Sequence, residues 1–156
     1  MSEQVEPVSQ IEVVAALAEI EVDAPRVGII MGSKSDMDVM EGAAKVLRDA
    51  GVTSEIRVMS AHREPETVAE YCKNARMRGL RVLIAGAGLS AALPGVAAAH
   101  TDLPVIGVPL SSRLSAVGGL DAILSVLQMP PGVPVAAVGL DNAKNAGHLA
   151  LRILRA

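Results

Sequence analysis

Five short apolar runs, alternating with segments of helical periodicity, restrict this chain to one kind of architecture. The runs cover residues 27–31, 56–59, 81–85, 105–108 and 135–138. Between them, Met37, Met40, Ala44 and Leu47 share one face of a helix that ends at Gly51. Pro65 opens a second helix, 65–78, stopped by Gly79. Shorter helical patterns follow over 94–99 and 119–127, and a closing one over 142–154. Strands that are apolar throughout need cover on both faces, and repeated βα units wind into a parallel sheet. The expectation is an α/β three-layer sandwich, with a flavodoxin-like parallel five-stranded sheet and helices on both faces.

Residues 1–24 stand apart. They hold Glu3, Glu6, Glu12, Glu19, Glu21 and Asp23 and no Lys or Arg. Val8, Ile11, Val14 or Ala15, and Ala18 recur at helical spacing, which predicts a weak amphipathic helix in an acidic N-terminal extension. Pro25 separates it from a single catalytic α/β domain over 25–156.

Composition removes several function classes. With one Tyr, no Trp and no Phe, there is no aromatic platform on which bases could stack. A net charge of -3 disfavours a nucleic-acid surface, so no nucleic-acid partner is expected. The lone cysteine, Cys72, excludes an internal disulfide and a cysteine-rich zinc site, and its place in a helical pattern predicts a buried, inert thiol. His100 and His148 read as structural, and no metal site is expected from their spacing. No apolar stretch reaches the roughly 20 residues that span a bilayer. The acidic N-terminus does not resemble a secretory signal. A cytoplasmic protein with no membrane partner is the expectation.

Four loops could carry chemistry, because ligands of such sheets bind outside the carboxyl ends of the strands. In Gly32-Ser33-Lys34-Ser35-Asp36, backbone amides and hydroxyls at a helix start suit a phosphate, although Ser35 or Asp36 could equally serve as a helix cap. In Ser60-Ala61-His62-Arg63, a group that titrates near neutrality stands beside a permanent cation. An acid/base group next to an anion clamp points to chemistry on a phosphorylated small molecule. The bland alternative for Arg63 is a surface pair with Glu64 or Glu66. The run from Gly86 to Gly95 offers amides without bulk, for a ligand or for tight packing. It lacks the third glycine of a dinucleotide fingerprint, where Ala91 stands. Residues 109–119, with Ser111, Ser112, Arg113 and Ser115, could form a lid or an ordinary surface connection.

Taken in order, residues 27–36, Ser60-Ala61-His62-Arg63-Glu64-Pro65, Ala85-Gly86-Ala87-Gly88, residues 104–109 and 128–135, and Asn145-Ala146-Gly147 resemble the class I PurE family of purine biosynthesis. The similarity covers about residue 26 to the C-terminus. The resemblance implies a mutase that converts N5-carboxyaminoimidazole ribonucleotide to 4-carboxy-5-aminoimidazole ribonucleotide without cofactor or metal. It implies His62 as the proton shuttle. For the substrate it implies Gly32, Ser33, Ser35, Asp36, Ser60, Ala61 and Arg63, with Gly86, Ala87, Gly88 and Leu93 on the small-residue side. It also implies a homo-oligomer, typically an octamer.

The match departs in the third motif, where the family usually has Ala-Gly-Ala-Gly-Gly-Ala-Ala-His-Leu-Pro-Gly. Here Leu89 replaces Gly, Ser90 replaces Ala and Ala92 replaces His. The segment around Ser111 to Gly119 is also slightly longer than usual. These changes leave two alternatives open: a direct CO2-dependent carboxylase of aminoimidazole ribonucleotide or a related nucleotide, and a non-catalytic ribonucleotide-binding protein.

Overall fold

A computed structural model describes residues 24–156, so the helix expected in the N-terminal extension lies outside the described residues. Five parallel strands form one sheet in the order β2-β1-β3-β4-β5. They are β1 (Val27–Met31), β2 (Ser54–Val58), β3 (Val82–Gly88), β4 (Val105–Leu110) and β5 (Ala136–Ala137). The helices are α1 (Met37–Asp49), α2 (Pro65–Asn74), α3 (Leu93–Ala99), α4 (Leu120–Leu127) and α5 (Ala143–Arg155). This is the flavodoxin-like three-layer arrangement that the alternation predicts.

The apolar runs work on two faces at once. Val27, Ile29, Met31, Ile84 and Ile106 pack with Met40, Leu47, Ala146 and Leu151 of α1 and α5. The intervening Ile30, Leu83, Ala85 and Val105 pack with Val68, Cys72, Ala97 and Val126 of α2, α3 and α4. Successive strand residues point to opposite faces, so one continuous run fills both layers. Gly51 and Gly79, at φ +74° and +94°, end α1 and the turn after α2. Positive φ at a helix C-terminus is accessible to glycine without steric cost.

Three strand boundaries differ from the sequence expectation, and the helix expected over 65–78 stops at Asn74, the chain continuing as a turn to Gly79. The run at 56–59 is not a buried strand: β2 spans Ser54–Val58, and Arg57 and Val58 are exposed. As an edge strand it pairs only with β1 and has no neighbouring strand on its other side. The fifth strand shrinks to two exposed residues on the other edge. The third correction concerns Gly86-Ala87-Gly88, which continue β3 rather than forming a loop. Gly86 pairs with Met31 and Val108, and Gly88 with Leu110. Pairing on both sides overrides the low strand preference of glycine.

The edge strand is fastened by a charged cluster. Tyr71 Oη donates to Glu55 Oε1 at 2.8 Å, and Arg78 Nη2 donates to both Glu55 oxygens at 2.7 Å. The Arg78 guanidinium lies 5.2 Å from the centre of the Tyr71 ring. Burial pushes the Glu55 carboxyl up, but the hydrogen bonds from Tyr71 and Arg78 and the neighbouring positive charges outweigh it and hold the group below its ordinary range. The cluster ties α2 to β2 on either side of the Ser60–Arg63 segment.

Cys72 is fully buried between Val68 and Ala75, and burial pushes its thiol up to about 11. The thiolate is the reactive form, so the native protein is expected to resist labelling by a thiol reagent at pH 8. Denaturation should release one reactive thiol per chain. Rapid labelling of the folded protein would overturn this placement.

Candidate active site

The loops after β1, β2, β3 and β4 converge on one cavity of about 770 Å³ at the carboxyl edge of the sheet. It is of the size usual for small-ligand sites. Its walls include Gly32, Ser33, Ser35 and Asp36 after β1, and Ser60, Ala61, His62 and Arg63 after β2. They also include Ala87, Gly88, Leu89, Ser90, Ala92 and Leu93 at the end of β3, and Ser111 to Leu114 after β4.

Local chemistry explains the shape of the β1 loop. Lys34–Asp36 form a single 3-10 turn, and Ser33 Oγ accepts the Ser35 amide at 3.3 Å. The Ser33 and Ser35 hydroxyls are 2.9 Å apart. Ser33 therefore caps this turn, while Asp36 stands at the start of α1 without making a side-chain cap. The Asp36 carboxyl remains at the cavity wall, half-buried.

Burial raises the Asp36 pKa above the ordinary aspartate value, against the pull of hydrogen bonds from Ser33 and Ser35. A carboxyl whose folded pKa lies above its unfolded value favours the fold when protonated and opposes it when ionised. Stability associated with this group is therefore present below the unfolded pKa and lost as pH rises through the folded one. Asp36→Asn is expected to melt at or above the wild-type temperature at pH 7. The difference should shrink towards zero as the pH falls below the ordinary aspartate range. Thermal melts of both proteins across that range decide it, and a wild type that is the more stable at pH 7 would contradict the assignment.

The β2 loop is built around buried Ser60. Its carbonyl accepts the Glu64 amide at 2.8 Å, and its hydroxyl accepts the Arg63 amide at 3.3 Å. These bonds turn the chain so that His62 and Arg63 face the cavity rather than continuing β2. Arg63 Nη2 donates to the Gly32 carbonyl at 3.0 Å, joining the two loops. Arg63 forms no ion pair with Glu64 or Glu66, so the surface-pair alternative does not hold. His62 is exposed, and no hydrogen bond to another described residue holds its ring.

Every site residue expected from the sequence lines this cavity except Gly86. Gly86 is buried one turn of the pleat below, where a Cβ would strike the Met40 sulfur, so it serves packing under α1. Conversely, Leu89, Ser90, Ala92 and residues 111–114 line the cavity without having been assigned to it. The serines and arginine of the fourth loop were visible in sequence, but nothing local shows where a loop folds.

The departures sit on the cavity wall itself. Leu89 adopts φ +55°, a conformation that glycine takes freely and that costs other residues roughly 1–2 kcal/mol. Ala92 contributes only a methyl group. His100 is held by its own helix, with Nδ1 2.9 Å from the Val96 carbonyl oxygen, and His148 is exposed on α5. Neither belongs to the cavity.

Comparison with known proteins places this arrangement. The family model described as AIR carboxylase matches residues 26–156. A relative from Pyrococcus abyssi named N5-carboxyaminoimidazole ribonucleotide mutase is 59% identical over 135 residues, which is 86% of this chain and 76% of the relative. One of the same name from Thermotoga maritima is 57% identical over 130 residues, 83% of this chain and 75% of the relative. Among solved structures, PurE of Treponema denticola is similar with a TM-score of 0.74 at 37% identity, covering 84% of this chain and 80% of that one. With a family model spanning all but the N-terminal extension and relatives this similar, the chain belongs to the AIR carboxylase family.

Proposed function

We propose that the protein converts N5-carboxyaminoimidazole ribonucleotide to 4-carboxy-5-aminoimidazole ribonucleotide, a step of purine biosynthesis. The observation that carries this reading is the meeting of His62, Arg63 and the Gly32–Asp36 loop in one cavity, in a chain 57–59% identical to relatives named for that reaction. Arg63, Ser33 and Ser35 hold the ribose phosphate, and Asp36 faces the ribose. A guanidinium with hydroxyls beside it suits a phosphate's charge and its several acceptor oxygens.

Protonated His62 gives its proton to the exocyclic nitrogen as the nitrogen–carboxyl bond breaks, releasing CO2 and neutral aminoimidazole. The ring carbon C4 then uses its enamine electrons to form a bond to CO2. Neutral His62 removes the C4 proton and aromaticity returns. One proton leaves His62 and one comes back, so the reaction is an isomerisation that needs no cofactor. Ala87, Gly88 and Leu93 confine the released CO2 against the ring, which keeps the second step effectively intramolecular. A histidine suits both halves because its two protonation states are both accessible near neutral pH.

Incubation of the purified protein with the N-carboxylated substrate, followed by the absorbance of the C-carboxylated product, tests this reading. Conversion without added bicarbonate is expected. A folded protein that gives no product overturns it. Carboxylation of aminoimidazole ribonucleotide at a rate set by added CO2, with the N-carboxylated compound unused, would instead identify a direct carboxylase. That second reading is favoured by Ala92, which puts a methyl on the wall nearest the small-residue strand end.

The working form is an oligomer, an octamer by family resemblance. Leu114, Val117, Leu120, Leu124 and Leu127 are exposed on and before α4, an apolar surface that a second subunit would bury. Light scattering at micromolar concentration is expected to report a multimer, and a monomer would refute it. No helix among the described residues is long and apolar enough to cross a membrane.

A further inference from the structure

We propose that Arg113 binds the substrate's carboxylate, making the cavity a two-anion site with Arg63 at the phosphate end and Arg113 at the ring end. The proposal rests on the mutase reading and identifies which part of the substrate the β4 loop recognises.

The sheet order sets the geometry. Arg63 follows β2, the Ser33–Asp36 loop follows β1, and Arg113 follows β4 on the far side of β3. Adjacent strands lie about 4.8 Å apart, so three intervals separate the β2 and β4 loops by roughly 14 Å. A ribonucleotide laid along the strand ends with its phosphate at β1 and β2 directs its ring towards β3 and β4.

Charge then selects the contact. The β3 wall consists of Ala87, Gly88, Leu89, Ser90, Ala92 and Leu93, with no ionisable side chain. Beyond β1, Arg113 is the one charged side chain among the described residues that line the cavity. It forms no ion pair among the described residues. Neither of the two aspartates that anchor this loop forms an ion pair with Arg113. Asp141 Oδ1 accepts the Ser111 amide at 2.8 Å, and the Asp141 amide donates to the Pro109 carbonyl at 2.9 Å. Asp121 Oδ1 accepts the Ser115 hydroxyl at 2.8 Å, and Ser115 Oγ in turn accepts the Gly119 amide at 2.9 Å. The loop is thus pinned at both ends, and between them Arg113 stands on the cavity wall with no ion-pair partner among the described residues. A carboxylate on the imidazole ring matches its guanidinium fork in charge and in bidentate geometry.

The same carboxyl group is present in substrate and product and absent from bare aminoimidazole ribonucleotide. A residue that holds it in both bound forms contributes mainly to affinity and little to kcat. The test is calorimetric binding of 4-carboxy-5-aminoimidazole ribonucleotide and of uncarboxylated aminoimidazole ribonucleotide to wild type, Arg113→Gln, Arg113→Lys and Arg63→Gln. Arg113→Gln is expected to weaken the carboxylated ligand about 10- to 100-fold and leave the uncarboxylated one unchanged. Arg113→Lys should recover part of the loss, and Arg63→Gln should weaken both ligands. Wild type that binds both ligands while Arg113→Gln matches it, or loses both equally, overturns the Arg113 assignment alone. Wild type that binds neither overturns the mutase reading and this one with it. Arg113 is exposed, and a melting curve of Arg113→Gln superimposable on the wild type is expected.

Discussion

Replacement of His62 by Asn is expected to lower kcat by about 100- to 10,000-fold while leaving ribonucleotide affinity within a small factor of the wild type. Asparagine keeps a polar side chain of similar reach but cannot give and retrieve a proton at neutral pH. The fold should tolerate the change, since His62 is exposed and makes no hydrogen bond to another described residue. Its position comes from the turn around Ser60, whose bonds to the Arg63 and Glu64 amides use backbone atoms that the substitution leaves in place. Steady-state assay with the N-carboxylated substrate, together with calorimetric binding of the product, separates the two effects. A variant retaining most of the wild-type kcat would remove His62 from the proton transfers. One that loses binding in proportion to rate would make it a binding residue instead.

Replacement of Arg63 by Gln should have the opposite signature. KM is expected to rise about 10- to 100-fold, with a much smaller change in kcat at saturating substrate. Two losses combine. In the proposed function the guanidinium supplies the charge opposite the phosphate, and its Nη2 bond to the Gly32 carbonyl joins the β1 and β2 loops. Arg63→Lys keeps the charge and loses the fork, so an intermediate KM is expected. The penalty in Arg63→Gln should also shrink at high ionic strength, because salt already screens the interaction in the wild type. An unchanged KM would place the phosphate elsewhere. An equal fall in kcat alone would mean that Arg63 acts only in the transition state.

Several parts of this molecule were readable before any coordinates. Apolar runs without polar alternation demanded cover on both faces, and the buried residues of β1, β3 and β4 divide between two helix layers accordingly. Gly51 marked a helix end because a positive φ there has few other occupants, whereas Gly79 closes the turn that follows α2 rather than the helix itself. The site was legible where chemistry and punctuation coincide: His62 and Arg63 stand between a strand and a proline, and the Gly32–Asp36 loop stands between a strand and a helix. Gly86 shows the limit. A glycine signals close approach, and only packing reveals that the approaching group is Met40 rather than a ligand.

By itself the sequence determined the parallel α/β class, the loop that carries His62 and Arg63, the Gly32–Asp36 loop, and the family resemblance. Local rules are enough for these, since periodicity, caps and residue chemistry act within a few positions. Only the tertiary structure decided that β2 is an exposed edge, that Arg63 bonds Gly32, and that Arg113 looks into the same cavity as His62. Those outcomes depend on the sheet order β2-β1-β3-β4-β5, which brings together residues 31 or more positions apart. The spacing of strands in space carries no trace in the spacing of residues along the chain.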